Sequence, residues 1–186
     1  MKNEQMMSNE EKQKESVSFR VGGCVIYRAE GICDIVDIRR ETFIGREEAM
    51  EYYILSPRND PNSTVYVPVD NEELTALMRP LLSRDEILAL CDDLREERMA
   101  WIPDSRGRNT KFREILSIGD RREVLVLVNT VREHIAENER IGKKSGTTDT
   151  GALRRGVKLL RDEFSATMTI ESDEALLSLL DGCEME

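Results

Sequence analysis

From Val17 to Asp70 short apolar runs alternate with turn residues. Val25-Ile26-Tyr27, Ile32 to Ile38, Tyr52 to Leu55 and Thr64 to Val69 are separated by Gly31, by Gly45 and by a loop rich in Pro, Asn, Asp and Ser, and Gly22-Gly23 precedes the first of them. Runs of β-branched and aromatic residues bounded by turn formers predict strands. Four or five such strands in so short a stretch would leave open edges as a flat sheet, so the pattern predicts a small barrel.

After Asp70 the period changes from two to that of a helix. Ser83 followed by Glu86 has the spacing of a capping box and opens a helix through Ile87, Leu88, Leu90, Cys91 and Leu94. Phe112, Ile115 and Leu116 mark a short helix that Gly119 ends, and Asp120 with Glu123 opens a longer one with Val124, Leu127, Val128, Val131 and Ile135 on one stripe. Gly142 to Thr150 reads as a loop, Leu153 to Met168 as a long helix, and Ser172 caps a last helix through Leu180. The chain therefore divides into a tail (1–16), a small β domain (17–70) and an all-helical domain of about five helices (71–186), an α+β protein of two domains.

Charge sharpens this division. The formal net charge is -10, which argues against coating nucleic acid by bulk attraction. Residues 17–78 carry six basic and eleven acidic side chains, whereas 79–161 carry eighteen and fourteen. Any phosphate contact is expected from the helical half, and the acidic β domain must meet something other than DNA. No apolar run approaches the length of a membrane span, and the first residues lack the apolar stretch of a secretory signal, so a cytoplasmic protein is expected.

Candidate chemistry is sparse. Cys24, Cys33, Cys91 and Cys183 form no CxxC pair and His134 is the lone histidine, so no metal or cofactor is expected and the cysteines read as small apolar side chains. There is no phosphate-binding loop and no HExxH, and His134, between Glu133 and Ile135 on a helix, reads as solvated. No enzymatic constellation emerges. Two segments depart from this plainness: the run Arg140, Lys143, Lys144, Arg154, Arg155, Lys158 and Arg161, which reads as a solvated helix and loop or as backbone contact to DNA, and Trp101, the single tryptophan, which precedes Gly107 and the cations Arg106, Arg108, Lys111 and Arg113. A lone Trp is most often a core anchor. The same indole beside clustered cations also fits an apolar wedge flanked by phosphate clamps.

The stretches FRVGGCVIYRAEGICDIVDI, EYYIL and VYVPVD, in that order, resemble the polymerase-interaction domain of the CarD-like transcriptional regulators, which the transcription-repair coupling factor shares. RPLLSRDEI, WIPDSRGRNTKFREILSIGD and KLLRDEFS resemble that family's helical domain. The resemblance implies a Tudor or SH3-like barrel that pairs edge strands with the RNA polymerase β subunit, and a helical domain that stabilises the open promoter complex at the upstream bubble edge. By position it assigns polymerase contact to Arg39, Arg40, Glu41, Thr42 and Phe43 and to Thr64, Val65, Tyr66 and Val67. It assigns DNA contact to Trp101, Arg106, Arg108 and Lys111. A monomer associated with the nucleoid through polymerase is expected, and the net charge predicts that it binds promoter DNA only weakly alone. The reading from a different class is an adaptor that binds polymerase without touching DNA, with Trp101 in the core.

Overall fold

The computed structural model describes residues 19–43 and 48–182. The expected tail at 1–16 and Cys183 lie outside these residues. The first unit is a five-stranded antiparallel sheet with strands β1 (Cys24–Tyr27), β2 (Gly31–Glu41), β3 (Met50–Pro57), β4 (Val65–Pro68) and β5 (Met78–Arg79), in the order β4-β3-β2-β1-β5. A register shift between Ile35 and Asp37 marks a bulge in β2. The bulge resets which side chains face inward, and Val36 is exposed there. One face of the sheet buries Val25, Tyr27, Cys33, Ile35, Leu55, Val67 and Met78, with Ile38, Tyr53 and Val65 at the margin.

The sheet does not end with β4. The chain turns through the one-turn helix α1 (Glu72–Thr75), capped by the Asn71 side chain, and returns as β5 beside β1. Leu74, Leu77 and Met78 pack on the sheet core, so residues 71–79 belong to it by both hydrogen bonding and burial. Two residues with no alternation of their own are too short to signal a strand; β1 supplies the pairing that makes them one.

The second unit comprises α2 (Arg84–Leu94), α3 (Ser105–Ile118), α4 (Arg121–Arg140), α5 (Thr147–Phe164) and α6 (Asp173–Leu180). The Ser83 capping box is present in both directions, and the Asp104, Asp120 and Ser172 side chains cap α3, α4 and α6. The helices close over a core that includes Phe112, Leu125, Leu127, Leu160, Phe164 and Leu176. Helices α4 and α5 approach closely at Gly156, where a Cβ would stand 2.7 Å from a Val128 methyl. Two helices start earlier than expected. Helix α3 begins at Ser105, so Gly107 is helical and not in a loop, and α5 begins at Thr147. No helix among the described residues is long and apolar enough to cross a membrane.

The two units meet at a polar, buried junction. Gly119 ends α3 in the left-handed conformation at φ 69°, and an added Cβ would lie 2.8 Å from the Arg28 carbonyl oxygen. Beside it Arg79 of β5 donates to the Gly119 carbonyl at 2.6 Å and lies 3.7 Å from the Glu163 carboxylate. Arg121 lies 2.9 Å from the same carboxylate and donates to the Pro80 carbonyl. Burial pushes the Glu163 carboxyl above the ordinary range and the Arg121 guanidinium below its own. Gly119 is thus constrained twice, by its backbone angle and by the neighbouring unit's backbone. Gly119→Ala should cost about 2 kcal/mol of folding stability, read as a lowered urea midpoint. An unchanged midpoint would show that the close approach relaxes freely.

Candidate functional site

Strand β4 is an edge: it pairs with β3, and no strand among the described residues occupies its other side. Val69 N–H donates to the Glu51 carbonyl at 2.9 Å, and these residues stand directly opposite in the register. That marks a hydrogen-bonded pair, and the antiparallel alternation then gives Tyr53–Val67 and Leu55–Val65 the same status. The main-chain groups of Val65 and Val67 are thus committed to β3, and those of Tyr66 point outward. Pro68 occupies the next outward position, where its missing N–H costs the ladder nothing.

Side chains sort by the same alternation. Val67 is fully buried and Val65 partly so, against the sheet core, whereas Tyr66 is exposed on the opposite face. Val67, expected as a contact, therefore supports the strand from within and offers a partner neither side chain nor backbone. Tyr66 joins Phe43 and Tyr52 in a set of edge-to-face rings with centroids 5.0 to 6.2 Å apart. Phe43 and Tyr66 are exposed and Tyr52 is buried beneath them, so the strand edge carries an aromatic shelf.

The other expected segment, Arg39 to Phe43, lies across β3 from β4. Arg39, Glu41 and Phe43 share the aromatic face, by alternation, and Arg40 faces the other way, donating to the Ala49 carbonyl. The Arg39 guanidinium is spanned by Glu41 at 2.7 Å and Asp37 at 3.0 Å, so a cation flanked by two carboxylates borders the shelf. Both carboxylates hold Arg39 above its ordinary pKa. Thr42 and Thr64 are exposed.

Trp101 lies in the extended segment between α2 and α3 and is partly buried. Its ring stacks on His134 at a centroid distance of 3.5 Å and meets Phe112 edge-on at 6.4 Å, with the Arg108 guanidinium carbon 4.6 Å from its centroid. His134 is therefore not the simply solvated helix residue that the sequence suggested. Trp101 is neither a fully buried anchor nor a freely projecting wedge; neighbours fix the plane of the indole while part of it reaches solvent.

Arg108 is not an exposed phosphate clamp. It is buried, its Nε and Nη2 donate to the two Asp149 carboxylate oxygens at 2.8 and 3.3 Å, and Nη1 donates to the Ile102 and Pro103 carbonyls. Asp149 is itself 2% exposed. A planar fork with four engaged acceptors is a structural arginine; it ties the Trp101 segment to α5. Nothing in the sequence marks this pair, whose members are 41 residues apart.

The remaining cations separate by helical phase. Arg106 and Lys111 stand about 140° apart around α3, so they do not form one clamp. Lys111 lies 3.3 Å from Glu114 and lines an apolar groove with Leu94, Met99, Ile115 and Val126. Arg106 and Arg113, seven positions apart, share a stripe. Arg113 faces Arg155 of α5 across a cleft of about 450 Å³ that Thr147 and Thr148 also line. Arg106, Arg113 and Arg155 are exposed and have no ion pair among the described residues. By contrast, Arg140, Lys158 and Arg161 are paired with Glu137, Asp162 and Asp173. Two of the cysteines are buried, and burial pushes the Cys33 thiol up to about 12 and that of Cys91 up to about 11, so both stay protonated at neutral pH.

The geometry is that of a binding protein with an exposed strand edge on one unit and a basic stripe on the other. A family model described as the CarD-like/TRCF RID domain matches residues 19–82, the whole sheet unit including β5. Residues 19–82 thus match an RNA polymerase-interacting domain of the CarD-like/TRCF type, which supports a transcription-related protein. No curated protein is significantly similar to the chain.

The Arg108–Asp149 pair makes a sharp contrast with Arg106. Arg108→Met leaves a buried carboxylate without its cation and should cost about 3 to 5 kcal/mol, with altered Trp101 fluorescence. Arg106→Met should stay within about 0.5 kcal/mol of the parent. Thermal melts of the two variants check this; equal stabilities would mean that Asp149 finds another partner.

Proposed function

We propose that the protein binds the RNA polymerase β subunit by adding the polymerase's strand to the outer edge of β4, and that the helical unit steadies the open promoter complex at the upstream bubble edge. The observation that carries this reading is the outward N–H and C=O of Tyr66 on an edge strand beside an exposed aromatic shelf. Main-chain pairing supplies affinity and the flanking side chains supply selectivity, so an acidic domain can bind without a positive patch. Phe43, Tyr66, Thr64 and the Asp37–Arg39–Glu41 group form the contact; Val65 and Val67 hold the strand in place behind it.

On the helical unit the exposed part of Trp101 packs at the distorted minor groove, and the stripe of Arg106, Arg113 and Arg155 meets the backbone phosphates. Arg108 acts through Trp101, by holding the segment that carries it. A stripe of three cations on a chain of net charge -10 gives little autonomous affinity, so DNA is engaged once polymerase raises the local concentration. The protein acts as a monomer in the cytoplasm, at the nucleoid, and by binding alone. The second reading, an adaptor without DNA contact, is favoured by the stacking of Trp101 on His134, which gives the indole a structural use of its own.

Two substitutions separate these elements. Tyr66→Pro removes an outward donor and the Tyr66 ring but no bond to β3, and should weaken binding to core polymerase at least tenfold with the fold retained. Val65→Pro breaks a bond to β3 and should destabilise the sheet itself. Surface-immobilised polymerase measures the first and urea melts the second; full binding by folded Tyr66→Pro would place the interface elsewhere. Trp101→Ala should shorten open-complex lifetime roughly tenfold, equivalent to about 1.4 kcal/mol and within the range of base–aromatic stacking. It should cost less folding stability than the roughly 3 to 5 kcal/mol of a fully buried aromatic. Competitor-challenge kinetics decide between the readings, because an unchanged lifetime with polymerase binding intact favours the adaptor.

A further inference from the structure

The junction between the units contains a polar cluster that neither docking surface uses. Arg79 lies on β5, Arg121 on the first turn of α4 and Glu163 on the last turn of α5. Glu163 is 7% exposed and Arg121 8%. Two guanidinium groups converge on one carboxylate, with Asp120 at 4.0 Å from Arg79 as a more exposed second anion. The cluster is not ideally satisfied. The Arg79 Nη1 and Glu163 Oε1 atoms are buried without a hydrogen-bond partner, so the 2.9 Å approach of Arg121 to Oε1 is an ion contact and not an aligned hydrogen bond.

A cluster of this kind contributes little net stability, because desolvating three charges offsets most of their attraction. What it does supply is geometric selectivity, since any relative shift of the units strands a buried charge. The covalent connection leaves room for such a shift: only residues 80–83 link β5 to α2, and they contain no regular element. The polar contacts across the junction depend on register. Arg79 must reach the Gly119 carbonyl, Arg121 the Pro80 carbonyl, and Gly119 must lie against the Arg28 backbone. Asn59 adds a peripheral contact to Asp162 at 3.5 Å.

We propose that Arg79, Arg121 and Glu163 form a clasp that holds the sheet unit and the helical unit in one orientation, so that the β4 edge and the Trp101 surface move as a single body. Arg79 is the positioning residue of the clasp: it is the member supplied by the sheet unit, and its removal leaves the Arg121–Glu163 contact inside the helical unit. The consequence for promoter complexes rests on the two-surface reading above; the clasp itself does not.

The test uses the full chain with spin labels on non-natural residues at Asn62, in the β3–β4 loop, and at Glu139, near the far end of α4, where a rotation at Arg121 is amplified. The parent should give one narrow distance distribution. Arg79→Met should at least double its width, with helical content and the melting of each unit kept within a few degrees. Arg79→Lys keeps the charge on a shorter stem and loses the second guanidinium nitrogen that lies toward Asp120, and should fall between them. Glu163→Gln is a second variant acting from the helical side and should also broaden the distribution. A broad parent distribution, or Arg79→Met as narrow as the parent, overturns the clasp. If the distribution broadens and open-complex lifetime stays unchanged with polymerase bound, the clasp stands and the two-surface reading fails.

Discussion

What the sheet unit offers to a partner depends on which backbone groups the sheet leaves unpaired. The ladder from β5 through β1, β2 and β3 consumes main-chain donors and acceptors until β4, where alternation sends those of Val65 and Val67 inward and those of Tyr66 outward. An unsatisfied edge invites association, and proteins ordinarily blunt it. Here the edge is short, Pro68 removes a donor from its end, and Tyr66, Phe43 and Tyr52 cover its flank. What remains is one well-defined outward pair of groups beside aromatic side chains, a surface that selects an extended segment and limits the registers it can adopt.

The helical unit follows a different logic. Its cations are mostly spent internally: Arg108 on Asp149, Arg121 on Glu163, Arg132 on Asp181 and Arg161 on Asp173. The excess of basic side chains between 79 and 161 is therefore no measure of its affinity for phosphate. Among the cations without an ion pair in the described residues, Arg106, Arg113 and Arg155 lie on facing sides of α3 and α5 and stand together by placement. Trp101 shows the same economy, for the contacts that orient the indole toward solvent are the contacts that anchor it.

Much of the fold was legible in the chain because local signals agreed with the final packing. The strands around Val25, Ile35, Tyr53 and Tyr66 follow period two, and the Ser83, Asp120 and Ser172 caps stand where the side chains do cap helices. Strand β5 was not legible, since Met78 and Arg79 become a strand only through pairing with β1. The start of α3 was obscured because Ser105 to Lys111 lacks an apolar period and contains Gly107; the Asp104 cap and the buried Arg108 compensate. The composition of the candidate surfaces was half visible. Alternation alone separates Tyr66 from Val65 and Val67, but the edge position of β4 is a property of the whole sheet. That Arg108 is internal depends on Asp149, beyond any local pattern.

The central claim is that the polymerase's strand completes the sheet at β4, and amide hydrogen exchange tests it most directly. In the free protein the Val65 and Val67 amides should already be slow, being bonded to β3, and the Tyr66 amide should exchange rapidly. On addition of core polymerase the account predicts strong new protection at Tyr66, with little change at Val65 and Val67. Polymerase binding that leaves the Tyr66 amide exchanging as before, with new protection only elsewhere, would contradict it.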